Sequence, residues 1–305
     1  LFLPEVPFLM FTKDFKLTYL ASRQAMKKKM DFIQSVAMLA LLSSQAFAQE
    51  IRVYTTVRNS AMILPNESPE KAPVVARSLT LFHAGKIYDY VDSAREVTVY
   101  EPLLRRFTLL SEYRSTKTEL AQDELRQYLS LAEQEAWKQL KEVDKQTSPS
   151  QIQAMSRLKF QLQPEFEPVF DEQKSQLVLV GRDFQYRVDS MKPPSQNVCQ
   201  IYLRFADAMA ELNSALHPRA MLPAPRTKLN EELRQRQLLP LRVELRAELD
   251  RPLWLQARHE WTWKFSSVDR QLISKWEKQI DDPNFRHVTF LQYQHDSLAG
   301  ETARR

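Results

Sequence analysis

Apolar and polar residues alternate from Glu50 to Arg58, with Ile51, Val53, Thr55 and Val57 on one side and Arg52, Tyr54, Thr56 and Arg58 on the other. A period of two predicts a half-buried strand, because successive side chains point to opposite faces. Residues 59–73 carry Pro65, Pro69 and Pro73 among polar residues and read as loop. Four short strands are expected next, at Val74–His83, Lys86–Val91, Glu96–Glu101 and Arg105–Leu110. Ala84-Gly85 and Asp92–Arg95 are the turns between the first three, and Pro102 ends the third.

The period lengthens from Thr116 to Val143. Leu125, Tyr128, Leu129, Ala132, Ala136, Leu140 and Val143 line one side, and Thr116 with Glu119 has capping-box spacing, so this stretch predicts a helix. After a polar break at Lys145–Ser150, strand spacing is expected at Leu158, Phe160 and Leu162. It continues at Leu177–Val180 and at Phe184, Tyr186 and Val188, with Gly181 turning the last pair. Pro193-Pro194 stops the sheet, and Ser195 caps a helix whose buried stripe is Val198, Ile201, Tyr202, Phe205, Met209, Leu212 and Leu216. Cys199 beside it reads as a small buried hydrophobe. His217-Pro218 ends that helix, and Leu229–Leu238 is a shorter one.

The clearest pair of strands comes late. Leu241, Val243, Leu245, Ala247 and Leu249 alternate with Arg242, Glu244, Arg246 and Glu248, the latter reading as a solvated ion ladder. After Asp250-Arg251-Pro252, Leu253 to Phe265 repeats the pattern over thirteen residues, a strand of about 43 Å. The two segments predict an antiparallel hairpin with Val243, Leu245, His259 and Trp261 on the covered face, since a slip of one residue would turn the tryptophans into water. A helix at Ser267–Ile280, a strand at His287–Gln292 and a flexible tail at 296–305 complete the chain. The expected fold is α+β: one large curved antiparallel sheet of about eleven strands, an unclosed half-barrel in form, packed over three or four helices as a single domain at 49–295.

The first fifty residues read as address rather than fold. Lys27, Lys28 and Lys29 precede an apolar run at Phe32–Leu42, and Ala46-Phe47-Ala48 supplies a small-x-small cleavage pattern. A membrane-spanning helix needs about 20 apolar residues, and this run is shorter, so residues 26–48 are expected to be a signal peptide cleaved before Gln49. Residues 1–25 are then either a start placed too early or a longer leader. The first 48 residues hold six Lys or Arg against three Asp or Glu, which leaves 37 basic and 35 acidic residues in the rest. The overall charge of +5 thus belongs largely to the leader and gives no support to nucleic-acid binding.

Composition removes several chemistries. Gly85, Gly181 and Gly300 are the three glycines, far apart, so neither a dinucleotide fingerprint, a phosphate loop nor a G-x-S-x-G elbow exists. A single cysteine excludes an internal disulfide and a cysteine-built zinc site. His83, His217, His259, His287 and His295 show no helical ligand spacing, and Glu165/Glu167, Glu231-Glu232 and Asp281-Asp282 are carboxylate pairs in sequence only. No catalytic residue, metal ligand or cofactor is therefore expected.

Gly85 to Leu110 resembles the edge meander of the periplasmic lipoprotein-carrier fold. Gly85-Lys86 stand at the turn, Tyr88 and Tyr90 form the aromatic-x-aromatic strand, and Val97-Thr98-Val99 form the strand after it; the family's usual proline after the second aromatic is absent, with Asp92 near its place. More broadly the chain is similar to exported proteins of planctomycete bacteria, a resemblance that implies export and no activity. These likenesses imply a soluble periplasmic or secreted protein, delivered by the export machinery. Its expected function is non-enzymatic binding of an apolar or acyl ligand, or a lipidated envelope partner, between sheet and helices. His259 would orient the ligand and Trp261, Trp263, Phe265, Tyr88 and Tyr90 would line the site. The alternatives are an envelope structural or protein-interaction protein with a filled core, and a hydrolase with a dispersed site.

Overall fold

The alternations at both ends of the chain close onto one another. In a computed structural model, residues 50–62, 71–141, 148–217, 220–248 and 252–303 are described. The expected signal peptide, residues 1–25, Pro65, Pro69, Asp250-Arg251 and the last two arginines lie outside them. Strands β1 (Ile51–Asn59), β2 (Val74–His83), β3 (Lys86–Val91), β4 (Glu96–Glu101), β5 (Arg106–Ser111) and β6 (Thr116–Ala121) form a meander. The second half supplies β7 (Glu167–Asp171), β8 (Gln176–Val180), β9 (Phe184–Met191), β10 (Leu239–Ala247), β11 (Leu253–Thr262) and the two-residue β12 (Arg286–His287). The twelve strands make a single unclosed sheet in the order β12-β6-β5-β4-β3-β2-β1-β11-β10-β9-β8-β7. Every pairing is antiparallel except β12 on β6. β1 lies between β2 and β11, so the first strand joins two halves that are far apart in sequence.

Among the described residues six α-helices accompany it: α1 (Gln122–Lys141), α2 (Pro149–Leu162), α3 (Gln196–Leu216), α4 (Ala224–Gln235), α5 (Ser267–Asp281) and α6 (Phe290–Ala303). Residues of α1, α3, α4 and α6 share one core with the inner sheet face, including Phe82, Phe107, Leu125, Tyr202, Leu229 and Tyr293. The outer face carries a separate core where α5 lies on β2 to β5, built from Leu81, Tyr88, Val97, Val99, Leu110, Ile273 and Trp276. The sheet is thus covered on both sides over one half, a two-faced arrangement that a single helix layer would not produce.

Ala84 and Gly85 turn β2 into β3 with φ of 48° and 79°, the two left-handed residues that a tight hairpin of right-twisted strands needs. Ser195 caps α3 by accepting from the Val198 N–H, as the sequence predicts. Ser266 caps α5, and Asp269 completes the box while pairing with Arg52 of β1 at 3.2 Å. Burial alone would raise the Asp269 carboxyl, but the hydrogen bonds from Ser266 and Arg52 outweigh it and hold it below its ordinary range.

Three expectations are corrected. The stretch beginning at Thr116 is strand before it is helix: Thr116, Thr118 and Leu120 are buried while Lys117 and Glu119 face away, and the capping box at Thr116 does not form. The free edge of β5 offers ladder bonds to six residues at once, which outweighs one cap. Leu158, Phe160 and Leu162 lie in α2, started by a capping box between Ser148 and Gln151 with Pro149 in its first turn. Burial there follows Arg157, Phe160 and Gln161, a helical spacing. Phe160 stacks on Phe184 at 4.9 Å, and its ring occupies the space a Cβ at Gly181 would need. Finally, β12 is two residues long, and the expected last strand and tail are replaced by α6, whose first turns return Tyr293 to the core.

Candidate functional site

The β10–β11 hairpin forms as the alternation demands, with Val243 opposite Ala257 and Leu245 opposite Leu255. β11 stops at Thr262, ten residues long rather than thirteen. Trp263 and Lys264 leave the ladder, and the Phe265 N–H turns to the Glu50 carboxylate at 3.0 Å before α5 begins. Pairing of β11 with β1 places Thr55 opposite His259 and Val53 opposite Trp261, all on the inner face.

A cluster with two aromatic walls results. Tyr202 of α3 meets Trp261 edge-on at 4.7 Å and lies 6.4 Å from His259. Trp261 is fixed by donating from Nε1 to the Pro240 carbonyl at 2.9 Å, and Trp263, 39% exposed, stacks on it at 5.6 Å as the outer rim. β1 and β11 sit near the middle of the sheet, where cover should be most complete. Yet Thr55, Ser78, Ala257, His259 and Trp261 are only half-buried, so the helices do not cover them fully.

Polar groups stand on the same face. His259 Nδ1 lies 2.9 Å from the Thr55 hydroxyl, while Nε2 is buried with no hydrogen-bond partner among the described residues. Burial pushes the imidazole down to about 3, and the positive charge of Arg226 acts in the same direction. Arg226 stands in the first turn of α4, half-buried, with no side-chain hydrogen bond or ion pair among the described residues. The same charge is felt at Tyr186 and Tyr202, whose hydroxyls are pushed up to about 12 by burial. Next along the face, Asp89 is buried and accepts from the Thr80 hydroxyl at 2.6 Å; burial raises its carboxyl to about 6.

No family model matches this chain, and no curated protein matches it. The functional reading therefore rests on the geometry.

Of the residues expected to line one site, His259, Trp261 and Trp263 do come together. Tyr88 and Tyr90 do not: they lie on the outer face against Trp276, at 6.1 and 5.6 Å, and the Tyr88 hydroxyl donates to Glu277 at 2.5 Å. Phe265 is there too, 5.8 Å from His83 and buried beside Ile273. The register explains the split. Tyr88 is opposite Leu81, and Leu81 is opposite Arg52, whereas Trp261 is opposite Val53, one residue further along β1. Neighbouring residues of β1 face opposite ways.

Thr55, Asp89, Tyr186, Tyr202 and Arg226 were not singled out from the sequence. Asp89 carries a signal in hindsight, as a carboxylate between Ile87 and Val91 in an otherwise apolar row. Arg226 carries none, because its place depends on how α4 packs.

Thr55 and His259 have the spacing of a hydroxyl nucleophile and its base, but the chemistry is wrong for that. A base works best near the operating pH, and an imidazole held near 3 takes up no proton at neutral pH. No described carboxylate holds Nε2 either. Among the described residues no cluster of three potential metal ligands exists.

Proposed function

We propose that the chain is an exported, non-enzymatic binding protein that holds an apolar or acyl ligand, or the acyl chain of a lipidated envelope partner, in the cleft between β1–β11 and helices α3 and α4. The observation that carries this reading is the buried, unpartnered His259 Nε2 inside an aromatic-walled cleft at mid-sheet. Leaving such a nitrogen unbonded costs about 1–3 kcal/mol, a cost that a ligand's polar group would offset. The cleft has the composition of a site for an amphiphile: Trp261, Trp263 and Tyr202 for the chain, neutral His259 and cationic Arg226 for an oxygen-bearing head. The weakly basic imidazole favours binding over the hydrolase alternative.

A fluorescent fatty acid should bind the purified protein and its methyl ester more weakly, since only the carboxylate engages Arg226. Trp261→Ala should weaken the acid about tenfold or more, a loss of roughly 1.4 kcal/mol of contact with the chain. Native mass spectrometry of protein from its own envelope should show a bound lipid. If the unmutated protein binds no apolar probe and carries no lipid, the space is simply core and the structural alternative stands.

Export is part of the same proposal. N-terminal sequencing of the exported protein is expected to begin at or within a few residues of Gln49, because Ala46-Phe47-Ala48 is the small-x-small pattern that follows the apolar run. A protein still carrying Phe32–Leu42 would be membrane-anchored instead.

A further inference from the structure

We infer that the outer face of β2, β1, β11, β10 and β9 is a docking surface for an anionic lipid bilayer. The inference stands whether or not the inner cleft holds a ligand. The sequence suggests an ion ladder along Arg242, Glu244, Arg246 and Glu248, and the structure builds something else. Arg246 bonds Glu244 within the strand at 2.6 Å and lies over Trp254 at 4.2 Å, so Glu244 is buried and its charge is spent locally. Arg242 is left opposite Arg258 of β11. Directly opposed like charges on one face are destabilising, and Asp189 opposite Arg242 on β9 and Glu260 at 3.8 Å from Arg258 offset this only in part.

The register extends the cationic row. Arg258 is opposite Thr56, which is opposite Arg77 of β2, so Arg77, Arg258 and Arg242 lie on one line across four strands, about 14 Å long at the usual strand spacing. The neighbouring line holds Arg58 and, beyond Gln256 and Glu244, Arg187. Arg77, Arg187, Arg242 and Arg258 are all exposed. Arg77, Arg187 and Arg242 have no side-chain partner among the described residues, and Arg258 has only Glu260 at 3.8 Å. Of the other acids here, Asp189 faces Arg242 in register but accepts instead from Gln176 at 2.8 Å. The outer-face core that docks α5 is built on β2 to β5 and does not include these arginines.

All the cations are arginines, whose planar guanidinium matches phosphate oxygens two at a time. They are spread over a sheet face rather than along a groove. The nearby rings are already occupied, Trp254 by Arg246 and Tyr54 by Arg52 at 5.8 Å, which leaves none free to stack a base. A sheet of lipid phosphates fits that layout better than a nucleic-acid strand.

The test is flotation of the purified protein with vesicles of phosphatidylcholine alone or with one-third phosphatidylglycerol, at low and high salt. The N-terminal segment is common to every sample, so differences between variants read the arginine face alone. Binding is expected on the anionic vesicles, to be lost in high salt because the charges are exposed, and to fall about five-fold for each arginine removed. Arg77→Gln/Arg242→Gln/Arg258→Gln together should therefore lose about a hundredfold. Arg242→Gln alone should leave the melting temperature unchanged or raised, since it relieves the opposed pair. Equal binding by the triple variant, no anionic-lipid binding by the unmutated protein, tight binding to an oligonucleotide in place of vesicles, or a lowered melting temperature for Arg242→Gln would each overturn the inference.

Discussion

Replacing Trp276 by alanine is expected to destabilise the fold by about 3–5 kcal/mol, the range for emptying a buried aromatic site. Trp276 is fully buried between Tyr88, Tyr90 and the apolar residues of β2, β4 and β5, and it is the largest side chain in the outer-face core. That core is small, so no second layer closes over the cavity left behind. Of the ion pairs that also tie α5 down, Lys86 with Glu277 at 3.0 Å and Arg270 with Glu50 at 2.8 Å are partly exposed and contribute little. α5 should therefore detach before the rest of the sheet unfolds. Trp276→Phe keeps most of the ring contact and removes a buried N–H that has no partner, so its loss should be under half as large. Trp263→Ala, which removes a ring 39% exposed, should cost under about 1 kcal/mol. Denaturant titrations of the three variants check the order; a Trp276→Ala loss as small as that of Trp263→Ala would mean that α5 does not depend on this contact.

Asp89→Asn is expected to stabilise the protein at pH 7 and to do nothing at pH 3. The Asp89 carboxyl rises from 3.8 to about 6 because it is buried, which outweighs the hydrogen bond from the Thr80 hydroxyl. Below 3.8 both folded and unfolded chains are protonated there. Between 3.8 and 6 the folded chain holds the proton and the unfolded chain has released it, so stability falls as pH rises. Above 6 the full penalty applies, about 3 kcal/mol at 1.36 kcal/mol per unit. His259 works in the opposite sense. Its folded value near 3 lies below the ordinary 6.5, so stability contributed by the neutral ring is present above 6.5 and is lost as pH falls through that window. The two slopes oppose each other between 6 and 3.8. Asp89→Asn should uncover the histidine slope and make the protein more acid-sensitive there, while His259→Gln should uncover the opposite Asp89 slope, with stability rising as pH falls from 6 to 3.8. Melting temperatures of the three proteins from pH 3 to 8 decide this; an Asp89→Asn gain that persists at pH 3 would mean that the carboxylate charge is not its source.

How much of the site was legible can be argued residue by residue. His259, Trp261 and Trp263 share parity along one strand, and parity is written in the sequence, so their grouping was predicted and found. Tyr88 and Tyr90 also share parity, but nothing local says which face of β3 matches which face of β11. That match passes through β2 and β1, and it put the tyrosines on the outer side. Phe265 looked like a continuation of the tryptophan row, but the row ends where Glu50 captures its N–H, a contact spanning 215 residues.

The sequence by itself determined an α+β protein built mainly of antiparallel strands, the Ser195-capped helix, the β10–β11 hairpin and the residues each strand must bury, because period and capping act over a few neighbouring residues. The tertiary structure alone decided that Thr116–Ala121 would be a strand, that α5 would cover the outer face, that Arg226 would approach His259, and that Arg242 would face Arg258. Each of these depends on register and docking between segments far apart in the chain. There the free energy of ladder bonds and buried area outweighs local preference, and it has no counterpart in any short stretch of residues.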